Sequence, residues 1–529
     1  MLYDVFVPTA GLGSRLNHLS KNLNKSLLPI NFKPVISHII EKFPLAHTFH
    51  VAIGHKGELV KDFLNIAYPD KKFNFIKISN FSGRGSGLGL TLLDSIKYFK
   101  KPFYFVSCDT FIENLILFRN ENWLGFSDKK DLRNDYRHLR INNNQVTKIL
   151  EKKENKENTD KIYLGLAYIK NYLEFKNCCK KFKKQTLKYG EVAPLRAMIE
   201  SDFTFKPVKQ IWSDTGNAND YLRLKKRMDT QDVNILSKPN EEIWFVKDRV
   251  IKFSTDINFI KNRVKRIKFL KNYSPKILHK KNNFYTYKYS EGKLFSNIKE
   301  IKNFKKLLEI SKKFWVKKKL SKKGLNSFVK NCNIFYKNKL IQRVKEFYKI
   351  TNTKDRVYKI NGKIIPRFKD LLKKVNWEYL SEGIPSRFHG DYHFENIIYD
   401  KIKNRFTFLD WRQDFNGILT HGDMYYDLAK LMHGLIISHE IVNNNKFSIL
   451  QKNSKVHIKI KRKKHLLKFE KYFCKWIKLN KYCLNKVYLL TSMIYLNIAA
   501  LHHAPYNKFL YFYGINMLKK FTDNENKKN

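Results

Sequence analysis

The stretch YDVFVPTAGLGSRLNHLSKNLNKSLLPI, residues 3–30, joins an apolar run to a glycine loop, an arginine and a lysine that precedes a second apolar run. YDVFVP reads as a strand, and glycines just behind a strand let backbone N–H groups approach a phosphate closely. Two familiar loops do not fit. A dinucleotide fingerprint needs a third glycine at position 16, where Leu16 stands, and no GxxxxGK[ST] spacing occurs. What fits is Gly11, Gly13, then Arg15, then Lys25. Two cations behind a phosphate-cradling loop suit transfer at an α-phosphate, where negative charge accumulates in the transition state.

Working outward, the first 228 residues alternate short apolar runs with helical patterns. PVISHIIEKF reads as a helix, FHVAIG as a strand, ELVKDFLNIA as a helix and FYFVSCD as a strand. This rhythm predicts an α/β domain with a mostly parallel sheet. Asp109 ends the last of these strands, beside the first glycine loop, where a carboxylate can grip Mg²⁺. A polar stretch, residues 229–241, marks a linker. EIWFVKDRVIKFS then reads as a hairpin turning at Lys247 and Asp248. Residues 296–350 are Lys-rich with recurring Leu, Ile and Phe, a helical pattern with a basic face, and the chain beyond 420 also reads as mainly helical.

At 529 residues the chain exceeds one ordinary core, and roughly two to four domains are expected. Hydrophobic residues at 43% and aromatics at 15% exclude a disordered chain. The balance of 104 Lys+Arg against 47 Asp+Glu, formally +57, invites a nucleic-acid or anionic-membrane reading. The lysines are spread throughout and accompanied by Asn, Ile, Phe and Tyr, as an AT-rich coding sequence produces. The expected partners are therefore small anionic substrates, with weak contact to anionic surfaces and no specific nucleic acid. KVHIKIKRKKHLLKFEK, 455–471, lacks interleaved stacking aromatics and reads as a solvated helix or insert face. Six cysteines without a CxxC pair suggest reduced thiols. Residues 487–504 read as a core helix, and the N-terminus as no signal peptide, so a soluble, cytoplasmic protein is expected. The sequence sets no oligomeric state.

The second informative stretch is HGDYHFENIIYDKIKNRFTFLDW, residues 389–411. IIY and FTFL read as two strands around a Lys/Asn-rich turn, which returns Asp410 to the side of Asn396 and Asp391. One carboxylate to orient and deprotonate an alcohol, with an Asn and an Asp for Mg²⁺, is what phosphoryl transfer from ATP requires. Asp391 is the candidate base; Asn396 and Asp410 are the candidate metal ligands.

Residues 1–228 resemble the nucleotidyltransferases that join a nucleoside triphosphate to a sugar or alcohol phosphate. The resemblance implies a Rossmann-like sheet in which Gly11, Gly13, Arg15 and Lys25 hold the triphosphate. It places the second glycine loop, GRGSGLGL (83–90, with Gly85 and Gly87), against base and ribose. It gives Mg²⁺ to Asp109 and Asp214, and the acceptor side to Glu151, Lys152 and Gly165. Two positions depart from the pattern: Asn24 stands where a proline is usual, and Cys108 where a small residue is common. Residues 242–529 resemble the choline kinase and aminoglycoside phosphotransferase family, which implies an α+β kinase-like domain with a small N-lobe (242–295) and a helical C-lobe (296–529). That resemblance gives Lys252 to the ATP phosphates, and makes YKYSEGKLF, with Glu291, a hinge over adenine. His389 becomes a structural member of the catalytic loop, with Asp423 and Asp427 as its braces. The segment 256–271 contains no glutamate to pair with Lys252.

Together these readings predict a bifunctional, Mg²⁺-dependent enzyme. ATP would phosphorylate an alcohol or sugar hydroxyl. A second triphosphate, CTP or UTP, would then deliver its nucleotidyl group to that phosphate, as in making an activated precursor for surface polysaccharide such as capsule. Two other readings stand beside it: a working nucleotidyltransferase with a non-catalytic kinase-like module, and a nucleic-acid-binding protein.

Overall fold

The computed structural model describes residues 3–129, 135–152, 154, 156–229, 240–444 and 446–526. They form two compact units, Met1–Ile257 with Leu278–Tyr287, and Asn258–Ile277 with Lys288–Asn529. Most of the expected linker, 229–241, lies outside the described residues.

The first unit is built on the predicted α/β rhythm. Tyr3–Pro8 is the central strand, parallel to Ala46–Ile53 on one side and to Phe103–Val106 on the other, with Phe73–Lys77 parallel beyond Ala46–Ile53. All six residues of Tyr3–Pro8 are buried, as a central strand covered on both faces demands. The helices Val35–Glu41 and Gly57–Ala67 fall where the 3.6-residue period placed them. Beyond Phe103–Val106 the sheet turns antiparallel through Lys161–Ile169. A separate two-stranded ladder pairs Trp212–Asp214 with Thr110–Ile112 and sets Asp214 opposite Thr110.

The hairpin of EIWFVKDRVIKFS is present as Glu241–Val246 and Arg249–Ser254, turning through Lys247 at φ 52°. It packs into the first unit. Trp244, Val246, Ile251, Phe253 and Phe284 share a buried cluster with Val60 and Phe63. The Trp244 and Phe63 rings lie 5.3 Å apart, and the Phe245 amide donates to the Phe32 carbonyl at 2.8 Å. Nothing in the local pattern specified this, because an alternating strand buries its apolar face against whichever surface the fold offers.

The second unit is mainly helical, including Ile301–Phe314, Lys322–Asn333 and Lys339–Thr351 in the Lys-rich region. Met424–Ile436 and Leu484–Ala499 pack against each other, and Leu484–Ala499 packs against Tyr506–Asn526. Among the described residues no helix is long and apolar enough to cross a membrane. The basic stretch 455–471 departs from a single helix. Lys455–Ile460 is a strand paired with Phe447–Lys452, and the helix Lys464–Leu479 follows. Its alternating Val456 and Ile458 carry a period of two, which the surrounding lysines obscure.

Candidate active sites

In the first unit the chain turns sharply after Tyr3–Pro8, through Gly13 at φ 70°, and returns Lys25 beneath the sheet's C-terminal edge. Lys25 Nζ lies 2.9 Å from Asp109 Oδ2, and Ser107 donates to Asp109 Oδ1 at 2.7 Å. Asp214 arrives by the short ladder, and Thr215 donates to the Asp109 carbonyl from its amide (2.9 Å) and its hydroxyl (3.0 Å). The convergence is measured at Gly216. A methyl there would stand 3.0 Å from Asp109 Oδ2, 3.0 Å from Asp214 Oδ1 and 3.1 Å from Arg15 Nη2. Arg15, Lys25, Asp109 and Asp214, drawn from four parts of the chain, therefore border one small space.

The electrostatics agree with a site for a cation and phosphates. Burial opposes the Asp109 charge, but Lys25, Ser107 and Arg15 outweigh it and hold the carboxyl well below the usual range. Burial works against Lys25 as well, and Asp109 with Cys108 more than restores its proton. Asp214 is pushed up, first by burial and then by the facing Asp109 charge. Two carboxylates facing each other in a buried site, one raised by the other, would be relieved by a divalent cation. The residues fit Mg²⁺, which commonly takes one or two carboxylates and completes its shell with water and phosphate oxygens. Among the described residues no group of three or more His, Cys, Asp or Glu could enclose a metal by itself.

Asn24, at the position where proline is usual, is buried and fully engaged. Its amide nitrogen donates to the carbonyls of Thr9 (2.9 Å) and His55 (2.8 Å), and its oxygen accepts from the Ser26 amide (2.9 Å) and hydroxyl (2.8 Å). The side chain thus ties the Lys25 turn to the end of the first strand. Tyr136, which sequence reasoning did not single out, donates to Asp214 Oδ2 at 2.8 Å. Gly165, at φ 65°, backs the Asp109 turn, and its carbonyl accepts from the Ser107 amide at 2.8 Å. Glu151 is held by Arg137 and Arg196, each at 3.1 Å, while Lys152 is exposed. Gly85 (φ 82°) and Gly87 (φ 147°) shape an exposed loop before the helix Leu88–Ser95, and a methyl at Gly11 would meet nothing within 4 Å.

In the second unit the predicted hairpin is present as Ile397–Asp400 against Arg405–Phe408. The Leu409 amide donates to the Asn396 carbonyl at 2.7 Å, which carries Asp410, at φ 55°, back beside Asn396. Asn396 donates its amide to the Asp391 carbonyl at 2.9 Å and to Asp391 Oδ2 at 3.3 Å, leaving its oxygen for a cation. Asn396 and Asp410 therefore fit as the two protein ligands of a Mg²⁺ that also binds phosphate. His389 is buried and accepts from the Asp391 amide at 3.2 Å, and burial lowers its pKa to about 3, which favours the neutral ring. Asp427 braces the loop, accepting from the amides of His389 and Gly390, both at 2.7 Å, and from Trp315 Nε1 at 2.9 Å. Asp423 does not share that role. It caps its own helix through the Tyr425 amide and holds the Ile384 amide (2.9 Å) and the Tyr336 hydroxyl (2.6 Å).

Two further residues define Asp391. Lys430, one turn beyond Asp427 on the helix Met424–Ile436, places Nζ 2.7 Å from Asp391 Oδ1. His393 lies 3.6 Å from Asp391 Oδ2 and 2.9 Å from Glu395. Burial opposes its charge, yet Asp391 and Glu395 push its pKa up to about 9. Burial likewise opposes ionisation of Asp391, but Lys430 and His393 hold it well below the usual carboxylate range. Lys430 lies one helical i, i+3 step beyond Asp427, the one signal that could have found it.

The helix Ile257–Leu270, without a glutamate, presents arginines instead. Arg263 Nη1 lies 3.7 Å from Asp410 Oδ1. Buried Arg266 donates to the carbonyls of Phe388 (2.6 Å), Leu419 (3.2 Å) and Arg412, pinning the helix to the catalytic loop. Lys252 lies on the strand Arg249–Ser254 in the first unit. Glu291, expected at an adenine hinge, is well exposed and pairs with Lys403 at 2.5 Å.

Two parts of the chain are similar to known proteins. Residues 354–441 match the phosphotransferase enzyme family. The N-terminal region is homologous to the bifunctional protein GlmU of Methanococcus vannielii, 28% identical over 229 residues, or 41% of this chain and 53% of that protein. It is also similar to a D-glycero-α-D-manno-heptose 1-phosphate guanylyltransferase of Campylobacter jejuni, 27% identical over 105 residues, or 20% of this chain and 46% of that one. The chain thus spans about half the length of these curated relatives. Among solved structures it is similar to the CTP:phosphocholine cytidylyltransferase of Streptococcus pneumoniae, with a TM-score of 0.37 and 16% identity over 43% of this chain and 100% of that one. The chain thus joins an N-terminal α/β region similar to these proteins to a segment, 354–441, that matches the phosphotransferase enzyme family.

Proposed function

We propose that the chain is a bifunctional transferase performing two consecutive steps on one small molecule in the cytoplasm. In the second unit an alcohol or sugar hydroxyl attacks the γ-phosphorus of ATP, the bond to the β-phosphate oxygen breaks, and the hydroxyl proton passes to Asp391. The depressed pKa of Asp391 keeps it ionised and ready to orient that hydroxyl, with Asn396 fixing the carboxylate from the other side. In the first unit an oxygen of the new phosphate attacks the α-phosphorus of a second triphosphate, CTP or UTP, and pyrophosphate leaves. Arg15 and Lys25 meet the charge developing on the triphosphate, which is where preorganised cations lower a barrier most. Mg²⁺ held by Asp109 with Asp214, and by Asn396 with Asp410, would neutralise phosphate charge in each site.

The observation carrying this reading is the convergence of Arg15, Asp109 and Asp214 on the space at Gly216, with Lys25 paired to Asp109. An activated product of this kind suits surface-polysaccharide synthesis, such as a capsule. Joining both catalysts in one chain raises the effective concentration of the second beside the first's product. The test crosses ATP plus each nucleoside triphosphate with pools of alcohols and sugars, read for ADP, pyrophosphate and product mass. Asp391→Asn should abolish acceptor-dependent ADP release and spare pyrophosphate release when phosphorylated acceptor is supplied, and Asp109→Asn should do the reverse. A second reading, in which the kinase-like unit only binds, is favoured by the proximity of Arg263 to Asp410 and the missing helix glutamate. Unchanged ADP release in Asp391→Asn would select it.

A further inference from the structure

Near Asp391 the second site is crowded with basic side chains. Lys339 and Arg343 stand one turn apart on the helix Lys339–Thr351 and share a face. The Arg412 guanidinium lies over the Phe335 ring at 4.8 Å, and Lys339 Nζ approaches the same ring at 5.1 Å. Arg412 is also seated against the catalytic loop. A methyl at Gly390, next to Asp391, would come within 2.5 Å of Arg412 Cβ. Lys430 completes the group through its 2.7 Å pair with Asp391.

Few anions answer them. Arg343 bonds Glu346 at 2.7 Å, and Arg412 Nε donates to the Asp414 carbonyl at 3.1 Å. Among the described residues no carboxylate lies within ion-pair distance of Lys339 or Arg412. Burial, then Arg412, Lys430 and Arg343, push the Lys339 pKa well below that of an ordinary lysine, against the opposing pull of Asp391. Burial and like charges disfavour the charged form of Lys339, and an anion seated among these groups would favour it. A cationic alcohol would meet repulsion from Arg412, Arg343 and Lys430.

Resting on the kinase reading above, we propose that the alcohol phosphorylated at Asp391 is itself an anion, its carboxylate or phosphate seated against Lys339, Arg343 and Arg412. Its hydroxyl oxygen forms the new bond to the γ-phosphorus, the β-phosphate oxygen leaves with ADP, and the proton goes to Asp391. The added anion stays unreacted and serves as the handle for recognition. Choline and ethanolamine are excluded by charge.

The test measures ADP release by the full chain with Mg²⁺ and ATP. The probes are choline, ethanolamine, glycerol, glycerate and glycerol 3-phosphate; the last two separate a carboxylate handle from a phosphate one. Binding of the same probes without ATP is followed by calorimetry. Expected is turnover or binding of an anionic probe in preference to glycerol, and none of choline. Lys339→Met and Arg343→Met should each raise KM for the anionic probe, or weaken its binding, by about tenfold or more while kcat and the KM for ATP change little. Preference for choline, ethanolamine or glycerol would overturn the proposal. So would variants that shift the KM for ATP alone, or that bind both anionic probes as the unsubstituted protein does. Failure of the kinase reading looks different: Asp391→Asn would leave ADP release unchanged with every acceptor.

Discussion

Replacing Gly216 by alanine tests the first site at its centre. Gly216 is not among the residues of positive φ, so an alanine backbone fits without strain there. Its methyl would stand 3.0 Å from Asp109 Oδ2 and from Asp214 Oδ1, a few tenths of an ångström inside ordinary contact. Neither carboxylate can swing aside cheaply. Asp109 is anchored by Ser107 (2.7 Å) and Lys25 (2.9 Å), and Asp214 by the Gly216 amide (2.7 Å) and Tyr136 (2.8 Å). A magnesium ion needs oxygens at about 2.0–2.1 Å, and a methyl wedged between the two carboxylates forbids that geometry. Losing electrostatic stabilisation of this kind costs about 3–4 kcal/mol, so pyrophosphate release should fall by about 10²–10³-fold. Folding should suffer less, by about 1–3 kcal/mol, because the crowding is confined to three side-chain atoms of Asp109, Asp214 and Arg15. The assay is pyrophosphate release, with Mn²⁺ binding followed by electron paramagnetic resonance and thermal melting as the control. Acceptor-dependent ADP release should be untouched. Full pyrophosphate release with unchanged Mn²⁺ affinity would refute the assignment of that space to metal and phosphate.

Asn24→Ala removes four hydrogen bonds, three of them buried, to two carbonyls, an amide and a hydroxyl; at about 1 kcal/mol each, melting should report a loss of about 4 kcal/mol, together with a reduced rate of nucleotidyl transfer. Lys430→Met acts on pH dependence. Asp391 is depressed by Lys430, so its ionised form is favoured down to unusually low pH, and the stability it contributes is lost only as pH falls through that depressed value. Without Lys430 the acid limb of the kcat/KM profile for ADP release should move to higher pH, and an unmoved limb would show that Asp391 is not the titrating base.

Much of both sites was legible because the chemistry is written in short spacings. Gly11 to Lys25 lies within one turn of chain behind one strand, and Asp391, Asn396 and Asp410 are separated only by a hairpin whose turn residues announce it. Asp214 was harder to place, since a ladder between Thr110–Ile112 and Trp212–Asp214 delivers it across a hundred residues. Asn24 looked like a blemish in a motif until its four bonds were seen. The anion site proposed beside Asp391 was not legible in the sequence. Lys339, Arg343, Arg412 and Lys430 are four cations in a chain holding 104, and nothing local distinguishes them.

By itself, then, the amino-acid order determined the α/β rhythm, the turn that brings Lys25 back and the hairpin that returns Asp410, because strand period, glycine placement and turn residues act over a few neighbours. Only tertiary structure decided that the hairpin Glu241–Ser254 packs into the first unit, that Lys430 rather than a remote charge pairs with Asp391, and that Gly216 sits where Arg15, Asp109 and Asp214 meet. Those outcomes depend on which surfaces bury against which. A short segment is amphipathic toward any partner, and the partner is chosen by the whole fold.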